Sequence, residues 1–246
     1  MNKKVLLIGF LWIILITFAF SQNGEHVDGG HFIKRIEYNV ESKITLDHNL
    51  KSKGVIQKMF FGDFNAPVEF YYLPSSEAAY WEPYSGFRIV SGVSHKSYSI
   101  EVKYISNYAE ATKEAQKRYP TIGNNLTTAH NREALINQTK ESLKLYKIET
   151  LLFPISNQLA ERMYKKMISL IDNFKAKGAP PLMVDGEWVE FRIVVEDELW
   201  SLYIYVPRGD SLKMSDLCRQ IIRDARENKL DESKYMAALN AFIKNK

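Results

Sequence analysis

Cysteine is almost missing from this chain of 246 residues, because Cys218 is the only one. A single cysteine excludes an internal disulfide. Small exported domains of animals usually carry disulfides, so an exported chain without them would fit a bacterial envelope or secreted protein better. Cys218 falls within Leu217 to Ile222 of a predicted helix, and a catalytic cysteine would need a base and an electropositive setting, so we expect a buried and unreactive thiol.

An excess of one charge is also missing. The net charge is +4, the chain has no basic block of five or more residues, and without Lys3 and Lys4 the charge is about +2. Neither nucleic acid nor an anionic membrane surface is therefore an expected partner. Hydrophobic residues make up 46% and charged residues 25% of the chain, which is typical of a soluble globular domain.

Only one long hydrophobic run occurs, from Val5 to Phe20, and it lies at the beginning of the chain. Lys3 and Lys4 precede it, and the small residues Ala19 and Ser21 follow at its end, which is the pattern of a secretory signal peptide. We expect residues 1–21 to be removed and the protein to be periplasmic or secreted, touching the membrane only during export. An uncleaved anchor is the alternative, although a spanning helix needs about 20 apolar residues.

Motifs with a clear chemistry are also scarce. Gly209-Asp210-Ser211-Leu212 spells the nucleophile block of GDSL esterases, but no histidine follows it that could deprotonate Ser211. Ser211 and Asp210 are instead expected to cap a helix. The five histidines show no metal-ligand spacing, and no phosphate-binding loop is present. We therefore expect no cofactor and no metal, and we assign no catalytic residue.

Six carboxylates crowd one predicted hairpin and could suggest a hydrolase, because glycoside hydrolysis uses a carboxylate pair. They are Asp185, Glu187, Glu190, Glu196, Asp197 and Glu198. Strand alternation puts Glu187 and Glu190 on opposite faces, and the last three occupy the tip. A solvated turn that discourages edge pairing is the simpler interpretation.

Hydrophobic spacing predicts an α+β fold in which antiparallel β-hairpins pack against helices. Strands are predicted at 68–73, 86–91, 97–106 and 145–155 and in a hairpin from Val189 to Val206, whose second face is expected to be wetter. Helices are predicted at 107–118, 131–143 and 157–177, from about Leu212 to Asn228, and after an Asp231 cap. Residues 32–46 resemble one or two strands, whereas 47–66 are ambiguous.

The chain divides by composition into a disordered tail (22–31), a first α+β half (32–120), a connecting segment (121–142) and a second half (143–246). Phe87-Arg88-Ile89-Val90 recurs as Phe191-Arg192-Ile193-Val194, and Ile100 and Val102 match Ile204 and Val206 at the same offset of 104. This repeat suggests a duplicated ββα unit. Chance repetition of apolar strands is the alternative.

Aromatic side chains give the only positive indication of binding. Ten of them fall between Phe60 and Phe87. Among these, Tyr80, Trp81 and Tyr84 lie in a segment rich in turn residues, and aromatic rings on a loop can stack on sugars or anchor a partner. The alternative is a loop that folds down over the core.

Several stretches carry a resemblance: Gly86 to Val90, Val102 to Tyr108, Asp172 to Gly178 and Asp216 to Ile221. They resemble uncharacterised exported proteins of Bacteroidota-type bacteria, and the likeness covers roughly residues 60–235. It implies a compartment and a lineage, and no functional site. We therefore expect an exported, non-enzymatic protein that binds a protein, peptide or glycan. A hydrolase of extracellular polymers and a structural or assembly protein are the alternatives.

Overall fold

The fold is α+β, and its centre is one large, mainly antiparallel sheet. The computed structural model describes residues 26–27, 31–38, 55–62, 66–75, 77–92, 97–123, 127–174, 186–196 and 198–242. The predicted signal peptide, the Lys175 to Gly178 helix end and part of the 22–31 tail lie outside these residues. Within 22–31, expected to be disordered, His26–Val27 and His31 instead pair as strands, because strand pairing satisfies their backbone groups.

Eight strands form the sheet, in the order β1-β2-β8-β7-β3-β4-β5-β6. Every neighbouring pair is antiparallel except β2 and β8, which are parallel. Their bounds are β1 (His26–Val27), β2 (His31–Tyr38), β3 (Val68–Leu73), β4 (Ser85–Ser91), β5 (Tyr98–Ile105), β6 (Ile148–Ile155), β7 (Trp188–Val195) and β8 (Glu198–Tyr205).

Six helices accompany the sheet in the described residues. They are α1 (residues 55–61), α2 (Tyr108–Arg118), α3 (Ala129–Leu145), α4 (Asn157–Asp172), α5 (Asp210–Arg226) and α6 (Glu232–Ala241). Two predicted caps are confirmed: the Ser156 side chain accepts a hydrogen bond from the Leu159 N–H, and Asp231 accepts from two N–H groups of α6.

The main core lies between one face of the sheet and helices α4, α5 and α6. Alternate strand residues such as Phe70, Phe87 and Phe191 meet the apolar stripes of these helices, and Cys218 is fully buried there, as expected. Leu159, Met163 and Met167 form the buried stripe of α4, and their helical spacing is the pattern from which this helix was predicted.

Over β3 and the β7–β8 hairpin, the opposite face of the sheet is covered by α1, which corrects the expectation that the second face of this hairpin is wetter. Phe60 and Phe61 of α1 pack on Tyr71 and Tyr203, so that neighbouring polar residues are enclosed. Glu190, which lies on this face, is only 5% exposed. The expectation failed because α1 comes from the ambiguous region 47–66 and its position could not be foreseen.

The two Phe-Arg-Ile-Val copies occupy matching positions on the two sides of β3. Phe70 lies opposite both Phe87 and Phe191, and Glu69 lies opposite both Arg88 and Arg192. The strands that follow the two copies do not pair in the same register. Ile89 of the first copy pairs with Ile100, whereas Ile193 of the second copy pairs with Trp200 and not with Ile204, the residue that matches Ile100 in the repeat. Duplication therefore stays a hypothesis.

Candidate functional site

The loop between β3 and β4 displays the most exposed aromatic side chain of the described residues. A short 3-10 turn, Ala78–Tyr80, forms its centre. Trp81 follows this turn and is 88% exposed, while Tyr80 is 50% exposed. Burying an indole of this size is strongly favourable, so a tryptophan held in water is a candidate contact residue.

The backbone of this loop is fixed by several hydrogen bonds. The Ala79 N–H donates to the Ser75 carbonyl at 2.9 Å, and the Trp81 and Glu82 N–H groups donate to the Ala78 carbonyl at 2.9 and 2.8 Å. The Ala79 side chain is buried beneath the turn. These contacts fix the turn in a conformation in which the Trp81 side chain points into solvent.

Tyrosine rings support the loop from one side. The Tyr80 ring lies edge-on to the Tyr108 ring at 5.7 Å, Tyr84 lies 5.4 Å from Tyr108, and Tyr146 stacks on Tyr108 at 5.9 Å. Burial raises the pKa of the Tyr84 hydroxyl above its ordinary value. Of the three residues that the sequence suggested, Tyr80 and Trp81 therefore reach the surface, whereas Tyr84 faces inward as support.

An ion cluster supports the loop from the other side, directly after Trp81. Arg219 of α5 donates to both Glu82 oxygens, at 3.0 Å through Nε, and to Glu187 Oε2 at 3.1 Å. The Tyr72 hydroxyl donates to Glu187 Oε2 at 3.0 Å and contacts Glu82 Oε2 at 3.4 Å. Arg223 adds a contact to Glu82 at 3.2 Å. We call these five residues the arginine–glutamate cluster.

The electrostatics of this cluster oppose acid catalysis. Burial acts to raise the pKa of Glu82, but hydrogen bonds and charge from Arg219, with the charge of Arg223, outweigh it and lower the pKa below its usual value. A general acid in glycoside hydrolysis needs a raised pKa. The two carboxylates that meet here are held as ion-pair partners, and the cluster is suited to fixing the loop.

A second pair of carboxylates lies on the other face of the sheet, beneath α1. The Glu69 side chain accepts hydrogen bonds from the Ala66 N–H at 2.8 Å and the Tyr71 hydroxyl at 2.9 Å. Glu190 accepts from the Ser201 hydroxyl at 2.7 Å and from Gln57 of α1. Glu69 is 1% exposed and Glu190 5%, so a polymer substrate has no access to either.

The remaining residues that the sequence singled out show no common site. The Ser211 hydroxyl exchanges hydrogen bonds with the Arg208 backbone, at 3.1 Å from the N–H and 2.7 Å to the carbonyl. The N-cap of α5 is Gly209, with no capping side-chain bond, so capping by Ser211 or Asp210 is corrected. Glu196 lies exposed at the hairpin tip; Asp185 and Asp197 and the side chain of Glu198 lie outside the described residues.

The described part of the chain contains no group of three or more histidine, cysteine or acidic residues able to hold a metal ion. Among its helices, none has the length and apolar character to cross a membrane.

No local pattern in the sequence indicates the arginine–glutamate cluster. Arg219 and Glu82 are 137 positions apart, and each is an ordinary charged residue in its local sequence. An open groove of about 460 Å³ between α5 and α6 was not predicted either; its lining includes the apolar residues Leu217, Ala238 and Phe242. The amphipathic pattern of the two helices was visible, but the gap between them was not.

Comparison with family models, with curated proteins and with solved structures gave no match. Function is therefore inferred from the residues of this chain alone.

Proposed function

We propose that this chain is an exported, non-enzymatic binding protein that contacts a protein, peptide or glycan partner through Trp81 and Tyr80. The observation that supports this proposal is the 88% exposure of Trp81 on a loop whose backbone is hydrogen-bonded and whose two flanks are packed. Tryptophan and tyrosine dominate the energetics of protein contacts, and their rings also stack on sugar rings.

The surroundings of Trp81 favour binding over a purely structural role. The flanking Tyr80 and Glu82 are each engaged with a second element, so the loop loses little conformational freedom when a partner binds. Arg223, with its side chain 42% exposed, gives a polar border beside Glu82. An aromatic centre with a polar border is typical of contact surfaces.

The carboxylate arrangement does not support the hydrolase alternative. One pair of glutamates is neutralised by Arg219, and the other pair is buried below α1. A hydrolase would need an accessible carboxylate pair with the pKa of one member raised.

Export is supported by the sequence of residues 1–21. We expect the protein recovered from the medium or periplasm of a bacterial host to begin at Gln22, and amino-terminal sequencing tests this. Recovery of a membrane-bound protein that begins at Met1 would contradict the expected cleavage.

The binding proposal is tested by thermal shift with three kinds of probe: soluble β-glucan and chitin oligosaccharides, muropeptides, and a library of unstructured peptides. A probe at one hundred times its dissociation constant stabilises the fold by about 2.7 kcal/mol, which raises the melting temperature by several degrees. The shift should disappear in Trp81→Ala and persist in the control Ile122→Ala, which removes a 70% exposed apolar side chain beyond α2.

The arms of this screen separate the partner classes. A shift with oligosaccharides alone identifies a glycan-binding protein, and a shift with peptides alone identifies a peptide- or protein-binding one. A probe whose shift is the same in Trp81→Ala and wild type would contradict the proposed site.

A further inference from the structure

Strand β6 is the last strand of the sheet, and in the described residues only β5 pairs with it. Its side chains at Glu149, Thr150, Leu152 and Pro154 are exposed, and Leu152 is 63% exposed. Such an edge presents a row of unpaired backbone groups, which is a template for another strand.

The direction of each backbone group on β6 follows from the sheet register. The Ile105 N–H donates to the Tyr84 carbonyl at 3.0 Å, so the backbone polar groups of Ile105 point to the β4 side. Those of the preceding residue, Tyr104, therefore point to β6, where its partner is Glu149. In an antiparallel strand, successive residues point to opposite sides. The residues of β6 that point away from β5 are therefore Ile148, Thr150, Leu152 and Pro154.

Only three N–H groups are available along this edge. Proline has no N–H, so Pro154 cannot donate. At the two ends, the Tyr146 N–H is donated to the Ser142 carbonyl at 3.0 Å, and the Ser156 N–H is donated to Glu232 Oε1 at 2.9 Å. In the described part of the chain, no hydrogen bond engages the N–H groups of Ile148, Thr150 and Leu152.

We propose that β6 is an interface for a second copy of this chain, paired antiparallel about a two-fold axis at Thr150. This register places Thr150 opposite Thr150 of the second copy, and Ile148 opposite Leu152 of the second copy. It uses all three available N–H groups of each strand, in about six backbone hydrogen bonds. A two-fold contact of this kind closes on itself and stops at a dimer.

Two features of the strand select this register and this partner. A shift that places the axis at Leu151 or Leu152 would bring Pro154 into the hydrogen-bonded row, and a shift to Glu149 would require the Tyr146 N–H, which is already bonded. In the proposed register, the exposed Leu152 covers Ile148 of the other copy on the same sheet face, and threonine meets threonine, which is a favourable cross-strand pair.

Sedimentation velocity of the purified protein over a range of concentrations tests the proposal. We expect a monomer–dimer equilibrium in the wild type. Thr150→Pro removes an N–H that makes no bond within the monomer, so the fold should persist by circular dichroism, while the loss of the two central hydrogen bonds weakens dimerisation roughly thirty-fold. The control Thr150→Val keeps this N–H and should still form dimers.

Cysteine cross-linking tests the register itself and does not require Thr150→Pro to fold. In Thr150→Cys, the Cα atoms of the two introduced cysteines would lie about 5.5 Å apart, which allows a disulfide. The native Cys218 is buried and should not compete. In Leu152→Cys, the introduced cysteine would lie opposite Ile148 of the second copy and not opposite the second introduced cysteine, so this variant should not cross-link. A monomer at every concentration, a dimer unaffected by Thr150→Pro, or equal cross-linking of both cysteine variants would each overturn the proposal.

Discussion

The guanidinium carbon of Arg219 lies 4.5 Å from the centre of the Tyr72 ring, so one arginine of α5 is stacked on the central strand of the sheet. The same guanidinium reaches Glu82 in the loop after Trp81 and Glu187 just before β7. Arg219 therefore joins a helix, the aromatic loop and the entry to a hairpin at one point. Cation–π contact adds to the ion pairs because the side chain is largely removed from water.

Arg219→Gln should destabilise the fold by about 2 kcal/mol. This loss of stability lies between the losses typical of removing an exposed and a buried ion-pair partner, because the Arg219 side chain is 18% exposed. Arg223→Gln is the matched control. Its side chain is 42% exposed, so its loss should be below about 1 kcal/mol. Urea unfolding followed by tryptophan fluorescence at pH 7 measures both; equal losses would contradict the central position of Arg219.

The effect of Arg219→Gln should depend on pH. The pKa of Glu82 is lowered in the folded protein below its ordinary value of 4.5, so its ion pairs contribute stability above that pH. This contribution is lost as the pH falls through the lowered pKa. The difference between wild type and Arg219→Gln should therefore be full at pH 7 and become smaller below about pH 4.5. A constant difference across this range would contradict the ionic origin of the effect.

Glu69 should give the opposite pH dependence. Burial raises its pKa above the ordinary 4.5, although the charge of Arg192 and hydrogen bonds from Ala66 and Tyr71 act to lower it. The folded protein then holds this proton more strongly than the unfolded chain, so the contribution of Glu69 to stability falls as the pH rises above about 4.5. Glu69→Gln should remove this slope in urea unfolding measured from pH 4 to pH 8.

Tyr71→Phe is the companion variant for Glu69. It removes the hydroxyl that donates to Glu69 Oε2 at 2.9 Å, so the carboxylate loses one partner and its pKa should rise further. We expect a loss of about 1–3 kcal/mol at pH 7 and a decline in stability that extends to higher pH than in the wild type. A wild-type slope in both variants would show that Glu69 does not control this pH dependence.

The sequence predicted those elements whose signal is local. Helix α4 was predicted because Ser156 caps it and because Leu159, Met163 and Met167 repeat at helical spacing. Strand β3 was predicted to end before Pro74, and it ends at Leu73. In each case the residues that determine the element lie within it or directly beside it.

The features that the sequence did not predict depend on contacts between distant segments. The described part of helix α1, residues 55–61, is too short to show a period, and its Gln57 reaches Glu190 across 133 positions. The burial of Glu190 follows from that contact with a distant segment. Alternation within the hairpin alone therefore predicted that the second face of the hairpin is wetter. The inward position of Tyr84 likewise depends on Tyr108, which belongs to another helix.

Trp81 and Trp188 should respond differently to replacement by alanine. Trp81→Ala should change the free energy of unfolding by less than about 0.5 kcal/mol, because its side chain is 88% exposed. Trp188 stacks on Tyr203 at 4.4 Å and contacts Tyr205 at 4.6 Å, so Trp188→Ala should cost about 3 kcal/mol. Urea unfolding followed by circular dichroism measures both losses.

Acrylamide quenching provides the independent measurement of this exposure. Trp81→Ala should remove the most accessible part of the tryptophan fluorescence, whereas Trp188→Phe should leave that part unchanged. If the accessible fraction survives in Trp81→Ala, the outward position of this ring is wrong, and with it the proposed contact surface.

Gly86 lies where the backbone of β3 and the ring of Tyr71 leave no room for a side chain. A Cβ at this position would lie 2.7 Å from the Phe70 carbonyl oxygen and 3.2 Å from Tyr71 Cδ1. The carbonyl oxygen belongs to the sheet backbone and cannot move without breaking strand pairing. Gly86→Ala should therefore cost about 2 kcal/mol in urea unfolding, as for other overpacked sites.

The clash at Gly86 should also reach Glu69, because the displaced Tyr71 ring carries the hydroxyl that bonds this carboxylate. Gly86→Ala and Tyr71→Phe should then be non-additive, with a coupling of about 0.5–3 kcal/mol in a double-mutant cycle. Gly123→Ala is the comparison, since its Cβ meets nothing within 4 Å and only its positive φ of 63° opposes the change. Gly123→Ala should be additive with Tyr71→Phe; additivity for both glycines would mean that Gly86→Ala strains β3 without moving the Tyr71 ring.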